Sequence, residues 1–564
     1  MAIDLPPVIP AQESSIQRLE AYIPANKAII KANLQGIDVE VTGNRFLRTD
    51  QIQAIIAASN TPDIAVKALS LAYYQLGYLL ETVYYAKGNG RLLIHVVNGQ
   101  LANVDAPESI EPHFHKLAGD TDLTIAELDK SRVLADVKSR RMGKDFRISY
   151  KLDGDPEKYT LVVRGEDAKD HDAGSFSFNI GNPGNRFLGR YFAGLGYQQD
   201  FKNGTQASIN YDGVLVDLGE AESGKNYHSL RFKTSHPFSF GLYTLELSHL
   251  QYEREIEDGL TISGDDTSGL GDILQDLLGL DILPGDTETV DVLIDADTQS
   301  ASFLGEQVLA SDRSSRLTTS QRIRWVDSLI ELPDFDQDIL LEETTSLELG
   351  VKYSKSYRNK SNKGRRLSSQ LLVEKGFSSN RGTFDTAVED GTVGIAARQA
   401  DFLVIKPKFA GNFGLFGRHS LNFDFIGQYS AEGQVPQHFQ FVMGGLNTMS
   451  AFLPGVLVGD TGAFARLAWQ WQPEGWGFLG SDKKLSLFVE SAASRYEDAS
   501  GDFEEFGDTI SASDAGIRFS SKLFGVLDSE MVFAEPIDDD GLEKVGLNAE
   551  ELEVDFFWRL RKRF

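Results

Sequence analysis

Apolar and polar residues trade places at every second position through the last eleven residues, Val554 to Phe564 (VDFFWRLRKRF). Phe556, Trp558, Leu560 and Phe564 fall on one face, interrupted by Lys562, while Phe557, Arg559, Arg561 and Arg563 fall on the other. A period of two marks a strand with different surroundings on its two sides. A barrel wall, with lipid outside and a wet lumen inside, supplies such surroundings. An ordinary amphipathic edge strand shows the same period, so these residues alone leave both readings open. The pattern recurs upstream. Tyr243, Leu245 and Leu247 alternate with Thr244, Glu246 and Ser248, and Leu421, Phe423 and Phe425 with Asn422, Asp424 and Gln428. Leu467, Trp469 and Trp471 alternate with Arg466, Ala468 and Gln470. From Gly174 to the C-terminus such runs number sixteen. An even count suits an antiparallel sheet closing on itself, and closure satisfies every backbone group without water, as lipid requires.

Before Gly174 the periods are mixed. A Pro-rich start (Pro6, Pro7, Pro10) precedes a predicted helix over 12–33, with Ile16, Leu19, Ile23 and Ile29 as its apolar positions. At ~1.5 Å per residue it is long enough to cross a barrel. Residues 34–105 read as a β-α-α-β-β unit. Ile37, Val39 and Val41 alternate as a strand, and Gly43-Asn44 turns the chain. Thr49 or Asp50 caps a helix burying Ile52, Ile55 and Ile56. A second helix runs over 64–76 and stops at Gly77, with strands following near 79–86 and 90–97. A second unit with its linker occupies 106–172, with a helix near 126–140 and strands FRISYKL and YTLVVRGE.

One interval breaks the strand spacing. Residues 255–312 hold fifteen Asp or Glu and no Lys or Arg, so the reading is a long acidic loop after the fifth strand. Leu270, Ile273, Leu274, Leu277 and Leu278 would form a short amphipathic helix within it. Asp286, Glu288, Asp291 and Asp295 offer oxygen ligands for calcium or a docking surface. A solvated, self-repelling loop is the favoured alternative.

Composition narrows the function. No run approaches the ~18–20 apolar residues of a spanning helix, a test that barrel strands escape by alternation. The 564 residues contain no cysteine, which removes disulfides, thiolate metal sites and cysteine nucleophiles. A net charge of -28 argues against nucleic acid. The opening MAIDLPP lacks the basic and apolar regions of a signal peptide, so an exported chain is expected to have lost one. No nucleophile elbow, metalloprotease helix or phosphate-cradling loop is present. His113 and His115 form an isolated pair, a weak metal signal. The expectation is a non-enzyme without a cofactor or metal.

Several motifs resemble a known family. IDVEVTGN, the two helices, YYQLGY and GNGRLLIHVVNGQLANV are similar to a POTRA domain, the periplasmic module preceding certain outer-membrane barrels. The second unit resembles the second POTRA of two-partner secretion transporters (TpsB; the FhaC, ShlB and HecB type of haemolysin secretion/activation protein). Phe441 to Gly462, FVMGGLNTMSAFLPGVLVGDTG, lies between the eleventh and twelfth predicted strands. It looks like that family's sixth extracellular loop, which folds back into the barrel. In the family a Gly-Gly pair leads to a Val-Arg-Gly-aromatic tetrad whose arginine pairs with an acid on strand thirteen. Gly444, Gly445 and Phe452 match, whereas Met449, Ser450 and Ala451 replace the first three tetrad residues. Strand thirteen, KLSLFVESAASR, places Glu490 near the family acid, and by parity Arg466 and Arg518 also face the lumen. The expectation is that Glu490 pairs with one of these arginines and that Ser450 and Phe452 alone hold the loop. All three as plain lumen polar residues is the alternative.

The resemblance implies a sixteen-stranded transmembrane β-barrel over 173–564 behind two α+β POTRA units and a tail, 1–33, whose helix plugs the lumen. It implies type Vb export: POTRA domains in the periplasm gather an unfolded adhesin or haemolysin, and the barrel in the bacterial outer membrane passes it. Implied partners are that exoprotein, outer-membrane lipid and lipopolysaccharide, and the barrel-assembly machinery during biogenesis. Phe556, Trp558, Leu560 and Phe564 would be the barrel-assembly signal, and a monomer is expected. A BamA-like assembly or insertase factor is the alternative, though two POTRA units speak for secretion. A passive porin would not need recognition domains.

Overall fold

The computed structural model describes residues 5–24, 27–88, 90–155, 157–169, 171–184, 189–215, 226–263, 287–333, 337–358, 364–377, 400–475, 480–497, 507–539, 542 and 553–564. The first α+β unit contains β1 (Gln12–Glu13), α1 (Ile16–Tyr22), β2 (Ile30–Leu34), β3 (Ile37–Thr42), α2 (Thr49–Ala57), α3 (Pro62–Leu76), β4 (Glu81–Gly88) and β5 (Arg91–Asn98). Its sheet runs β1-β4-β5-β3-β2. Local chemistry sets the boundaries of α3. Thr61 accepts a hydrogen bond from the Ile64 amide, Pro62 opens the helix, and Gly77 ends it at φ 104°. The apolar stripe of α2 and α3 (Ile52, Ile56, Val66, Leu69, Tyr73) closes over Val39, Val41, Val83 and Ile94.

The second unit contains β6 (Gln100–Asp105), α4 (Glu111–Phe114), α5 (Ile125–Arg141), β7 (Lys144–Leu152) and β8 (Lys158–Asp167), with sheet order β6-β8-β7. Thr124 and Glu127 form a reciprocal capping box at the start of α5. The sequence reading attached β6 to the first unit, but it pairs parallel with β8 and so belongs to the second sheet.

The predicted tail helix is corrected. Among the described residues of that span only Ile16–Tyr22 is helical, because Pro24 cannot continue it, and Ile30–Leu34 is a strand. Helix α1 does not plug the lumen. Its Leu19 packs with Ala86 and Leu93 on the first unit's sheet. His113 and His115 also diverge. His113 is buried, which pushes its pKa down to about 4, whereas the His115 side chain is 76% exposed beside Glu111.

The wall that follows comprises β9 (Gly174–Gly181), β10 (Phe192–Asp200), β11 (Gln206–Val214), β12 (Asn226–Phe238), β13 (Gly241–Ser263) and β14 (Thr287–Ser311). It continues through β15 (Ser315–Leu332), β16 (Gln337–Arg358), β17 (Gly364–Phe377), β18 (Leu403–Gly414) and β19 (His419–Ser430). Two short loop strands intervene, β20 (Phe441–Met443) and β21 (Leu457–Gly459). The wall resumes with β22 (Thr461–Trp471), β23 (Ser481–Arg495), β24 (Ile510–Leu523), β25 (Leu527–Asp538) and β26 (Phe556–Arg563). Among the described residues, sixteen antiparallel strands close when β26 meets β9.

Large apolar side chains stud the outer face, among them Leu195, Ile209, Phe232, Leu247, Phe303 and Ile323. Such a continuous apolar exterior is foreign to soluble proteins and suits lipid. Near the barrel end that carries the N-terminal units, Phe238, Phe240, Tyr243 and Phe303 form a ring cluster with centroids 5.4 to 5.8 Å apart. His419 stacks on Trp469 and Trp471 close by the turn after β18. These are the girdle residues of a barrel–lipid boundary.

The acidic interval is also corrected. Strand β13 runs to Ser263 and β14 begins at Thr287, paired from Ser263↔Thr287 onward, so much of the expected loop is a projecting hairpin. The residues Val290, Val292 and Ile294 recur at every second position, a strand period that the density of acids disguises. The expected helix residues Leu270, Ile273, Leu274, Leu277 and Leu278, and Asp286, lie outside the described residues. No cluster of metal-ligating side chains occurs among the described residues.

Candidate functional site: a loop folded into the barrel

Residues 431–460, between β19 and β22, fold into the lumen. Strands β20 and β21 pair as a hairpin through Phe441↔Gly459 and Met443↔Leu457. The tip turns sharply at Gly444 (φ 120°) and Gly445 (φ 79°). A Cβ on Gly444 would lie 2.1 Å from the Leu453 carbonyl oxygen, so the tip requires a glycine there. The Gly445 amide donates to the Phe452 carbonyl (2.7 Å), and the Gly444 amide donates to Thr448 Oγ1 (2.9 Å). Met449, at φ 31°, is a strained residue that begins the altered tetrad.

The wall receives this tip with a row of side chains set by register. Arg466, Glu490 and Asp514 are direct cross-strand partners on β22, β23 and β24. Arg466 Nε donates to Glu490 Oε1. Glu490 Oε2 accepts the Ser450 amide at 2.6 Å, and Oε1 accepts the Ser450 hydroxyl at 3.2 Å. Asp514 Oδ2 accepts the next amide, Ala451, at 2.9 Å. Arg466 Nη2 donates to the Asn447 carbonyl (2.8 Å) and Arg518 Nη2 to the Leu446 carbonyl (2.7 Å). The tip therefore presents two successive N–H groups to two carboxylates and two carbonyls to two guanidinium groups. Glu490, Asp514, Ser450 and Ala451 are all fully or almost fully buried, where unpaired charge is costly and these bonds matter most.

Apolar packing completes the seat. Phe452 is fully buried with Phe488, Ala512, Val532, Ala534 and Phe557. A second loop joins it: the Val554 amide donates to the Ala451 carbonyl (2.8 Å), and Phe452 bridges Glu553. Leu542 and Val554 enter the same core. At the loop base, Asp460 accepts the Val435 and Glu497 amides at 3.0 Å each, and Gln428 Nε2 donates to the Phe439 and Asp460 carbonyls. Phe439 lies under Arg324 and Lys406, which flank the buried Glu374.

Thus Glu490 pairs with Arg466, while Arg518 reaches the loop backbone and forms an ion pair with Glu530 (3.5 Å). The expectation that Ser450 and Phe452 alone hold the loop is corrected, since Leu446, Asn447 and Ala451 are bound as well. Sequence reasoning missed Asp514, Asp460 and Glu374. Asp514 was findable: it shares a parity with Arg518 one strand beyond Glu490. Of the C-terminal residues, Phe557 faces inward, while Phe556, Trp558, Leu560 and Phe564 take the other parity, with Phe564 63% exposed.

Two α+β units on the rim of a closed sixteen-stranded barrel, with a loop seated in its lumen, define a POTRA–barrel fold. CdiB from Escherichia coli shares it with a TM-score of 0.64 over 96% of this chain and 92% of that one, at 13% identity. CdiB from Acinetobacter baumannii gives 0.59 over 99% and 95%, at 12% identity. BamA from Haemophilus ducreyi lacking POTRA domains 1–3 gives 0.50 over 94% and 100%, at 10% identity. At such identities the likeness is one of fold. No protein-family model and no curated protein sequence matches the chain.

Proposed function

We propose that the chain is the outer-membrane transporter of a two-partner secretion system, which exports a large unfolded exoprotein. One observation carries this reading: a loop is seated in the lumen by hydrogen bonds, ion pairs and apolar packing, all of them reversible, so the bore can be vacated. Two α+β units at the entrance supply sheet edges on which an extended polypeptide can add a strand. The units lie on the periplasmic side and the projecting β13–β14 hairpin on the cell surface. Folding of the client outside provides the driving free energy. The proposed action is transport, not catalysis, and the likeness to CdiB favours it.

A BamA-like role in barrel assembly is the second reading, favoured by the short seam: β26 and β9 share five residue pairs, against nine between β9's other partner β10 and β11. Co-expression with large exoproteins encoded nearby separates the two. The transporter reading expects an exoprotein at the cell surface only when the intact chain is present. Export unchanged without the chain, together with loss of other outer-membrane barrels on its depletion, would overturn that reading in favour of assembly.

A further inference from the structure

The segment before α1 is extended and lies across both α+β units. Leu5 and Ile9 pack on the core of the second unit, and Ala11 packs on that of the first. Tyr74 Oη donates to the Pro6 carbonyl at 3.0 Å. Gln12 and Glu13 then pair in parallel with Tyr84 and Tyr85 of β4, and the Ser14 amide donates to the Tyr85 carbonyl at 2.8 Å. Without them β4 would be the free edge of its sheet, since β5 occupies its other side. A cleft of about 260 Å³ stays open between this segment and Tyr84, Tyr150, Leu152 and Tyr159.

The fit is incomplete in an informative way. Strand β4 has eight residues, Glu81–Gly88, and pairs with β5 along all of them, but the segment covers only two. Pro6, Pro7 and Pro10 have no N–H to donate and hold the chain in an extended conformation. The occupant is therefore pre-extended, apolar at intervals and unable to build a long ladder. A proline-free strand with alternating apolar residues would make more backbone bonds on the same edge. Displacement would not release the segment, because α1 remains anchored by Leu19 and by the bond from Tyr22 Oη to Glu157 (2.8 Å).

We infer that residues 5–14 are a built-in occupant of a peptide-binding edge, which an extended, proline-poor polypeptide must displace from β4 and the adjoining cleft. The identification of that polypeptide as the exported client rests on the transporter reading. The competition itself does not.

The test uses the full chain in detergent and takes advantage of its lack of cysteine. A Gln12→Cys/Tyr84→Cys variant can form a single disulfide that ties the segment to β4. The probe is a fluorescein-labelled peptide with the sequence of residues 5–15 in which the three prolines are replaced by threonine. Binding is expected to the reduced variant and to the unsubstituted chain. The oxidised variant should bind about ten-fold more weakly or not at all, a loss of about 1.4 kcal/mol or more. A peptide retaining the prolines should compete less well than the threonine version. Equal affinity for the oxidised and reduced forms would overturn the inference, as would no binding to a chain lacking residues 1–14. Hydrogen exchange along β4 supplies a second readout: in the unsubstituted chain the peptide should protect the segment-facing amides of Glu81 and Val83, which lie beyond the pairing of Gln12 and Glu13. No added protection there would overturn it equally. Peptide displacement in a chain that exports nothing leaves this inference standing and removes the transporter reading.

Discussion

Ser450 carries no charge of its own, and the geometry shows how the loop tip is held without one. The wall provides both guanidinium groups, Arg466 and Arg518, and the loop offers its backbone to them. Glu490→Ala would leave Arg466 and the Ser450 amide without their acceptor in a buried site, at a cost of about 3–5 kcal/mol to the seated loop. We expect more frequent and larger openings in planar-bilayer conductance. Ser450→Arg should act in the same direction, because a third guanidinium would crowd Arg466 and Arg518. Adding Arg466→Ser should restore the low conductance. A different residue bears on pH. Glu81, buried at the start of β4, is pushed up to about 8 by burial, which outweighs Arg45 and is reinforced by Asp122. Its native form holds a proton that the unfolded chain has lost between its ordinary value of 4.5 and about 8, so stability falls as pH rises through that window. The effect is worth at most about 5 kcal/mol. Denaturant melts of the N-terminal units should show that slope, and Glu81→Gln should flatten it.

At the scale of elements, the barrel strands and the α+β helices were legible because their periods are long and clean. Helix α3 was expected over 64–76 and spans Pro62–Leu76, and the helix expected near 126–140 spans Ile125–Arg141. What failed was weighing one period against another. Ile16, Leu19 and Ile23 have helical spacing, but Ile30, Ala32 and Leu34 alternate, and Pro24 marks the change. Parity with Arg518 already puts Asp514 on the lumen face, but the register that sets it directly opposite Glu490 was not legible in the sequence. The seam shows the same limit. Asn182 there stands in for ladder bonds: Nδ2 donates to the Phe556 carbonyl (2.8 Å), and Oδ1 accepts the Trp558 amide (2.6 Å). It is almost wholly buried. Asn182→Ala removes both bonds and leaves the Trp558 amide without its side-chain acceptor, at about 1–3 kcal/mol. With Ser177→Cys/Arg563→Cys as a cross-seam reporter on facing residues, the disulfide yield should fall when Asn182 is lost.

Across the whole molecule, the N-terminal units and the seated loop are held by separate sets of contacts. Helix α5 lies against the barrel rim. Arg141 donates to the Ser235 carbonyl (3.0 Å) and hydroxyl (2.9 Å) and to the Gly204 carbonyl (3.3 Å). Ser311 donates to Asp129 of the same helix, and Arg313 stacks over Tyr74 at 4.6 Å. None of these residues touches Glu490, Asp514 or Phe452. Arg141→Ala should therefore loosen the units from the rim, by about 1–3 kcal/mol of lost hydrogen bonding, and speed limited proteolysis between residues 168 and 173. Conductance should stay as it was. Combined with Glu490→Ala, the two effects should add within about 0.5 kcal/mol, as they do for distant sites without shared partners. On the transporter reading proposed above, a client engaged at both ends would supply the missing connection, docking at the units while its leading segment displaces the loop. Non-additivity is thus expected only when an extended polypeptide is bound, and coupling in the empty protein would mean that the wall itself transmits the signal.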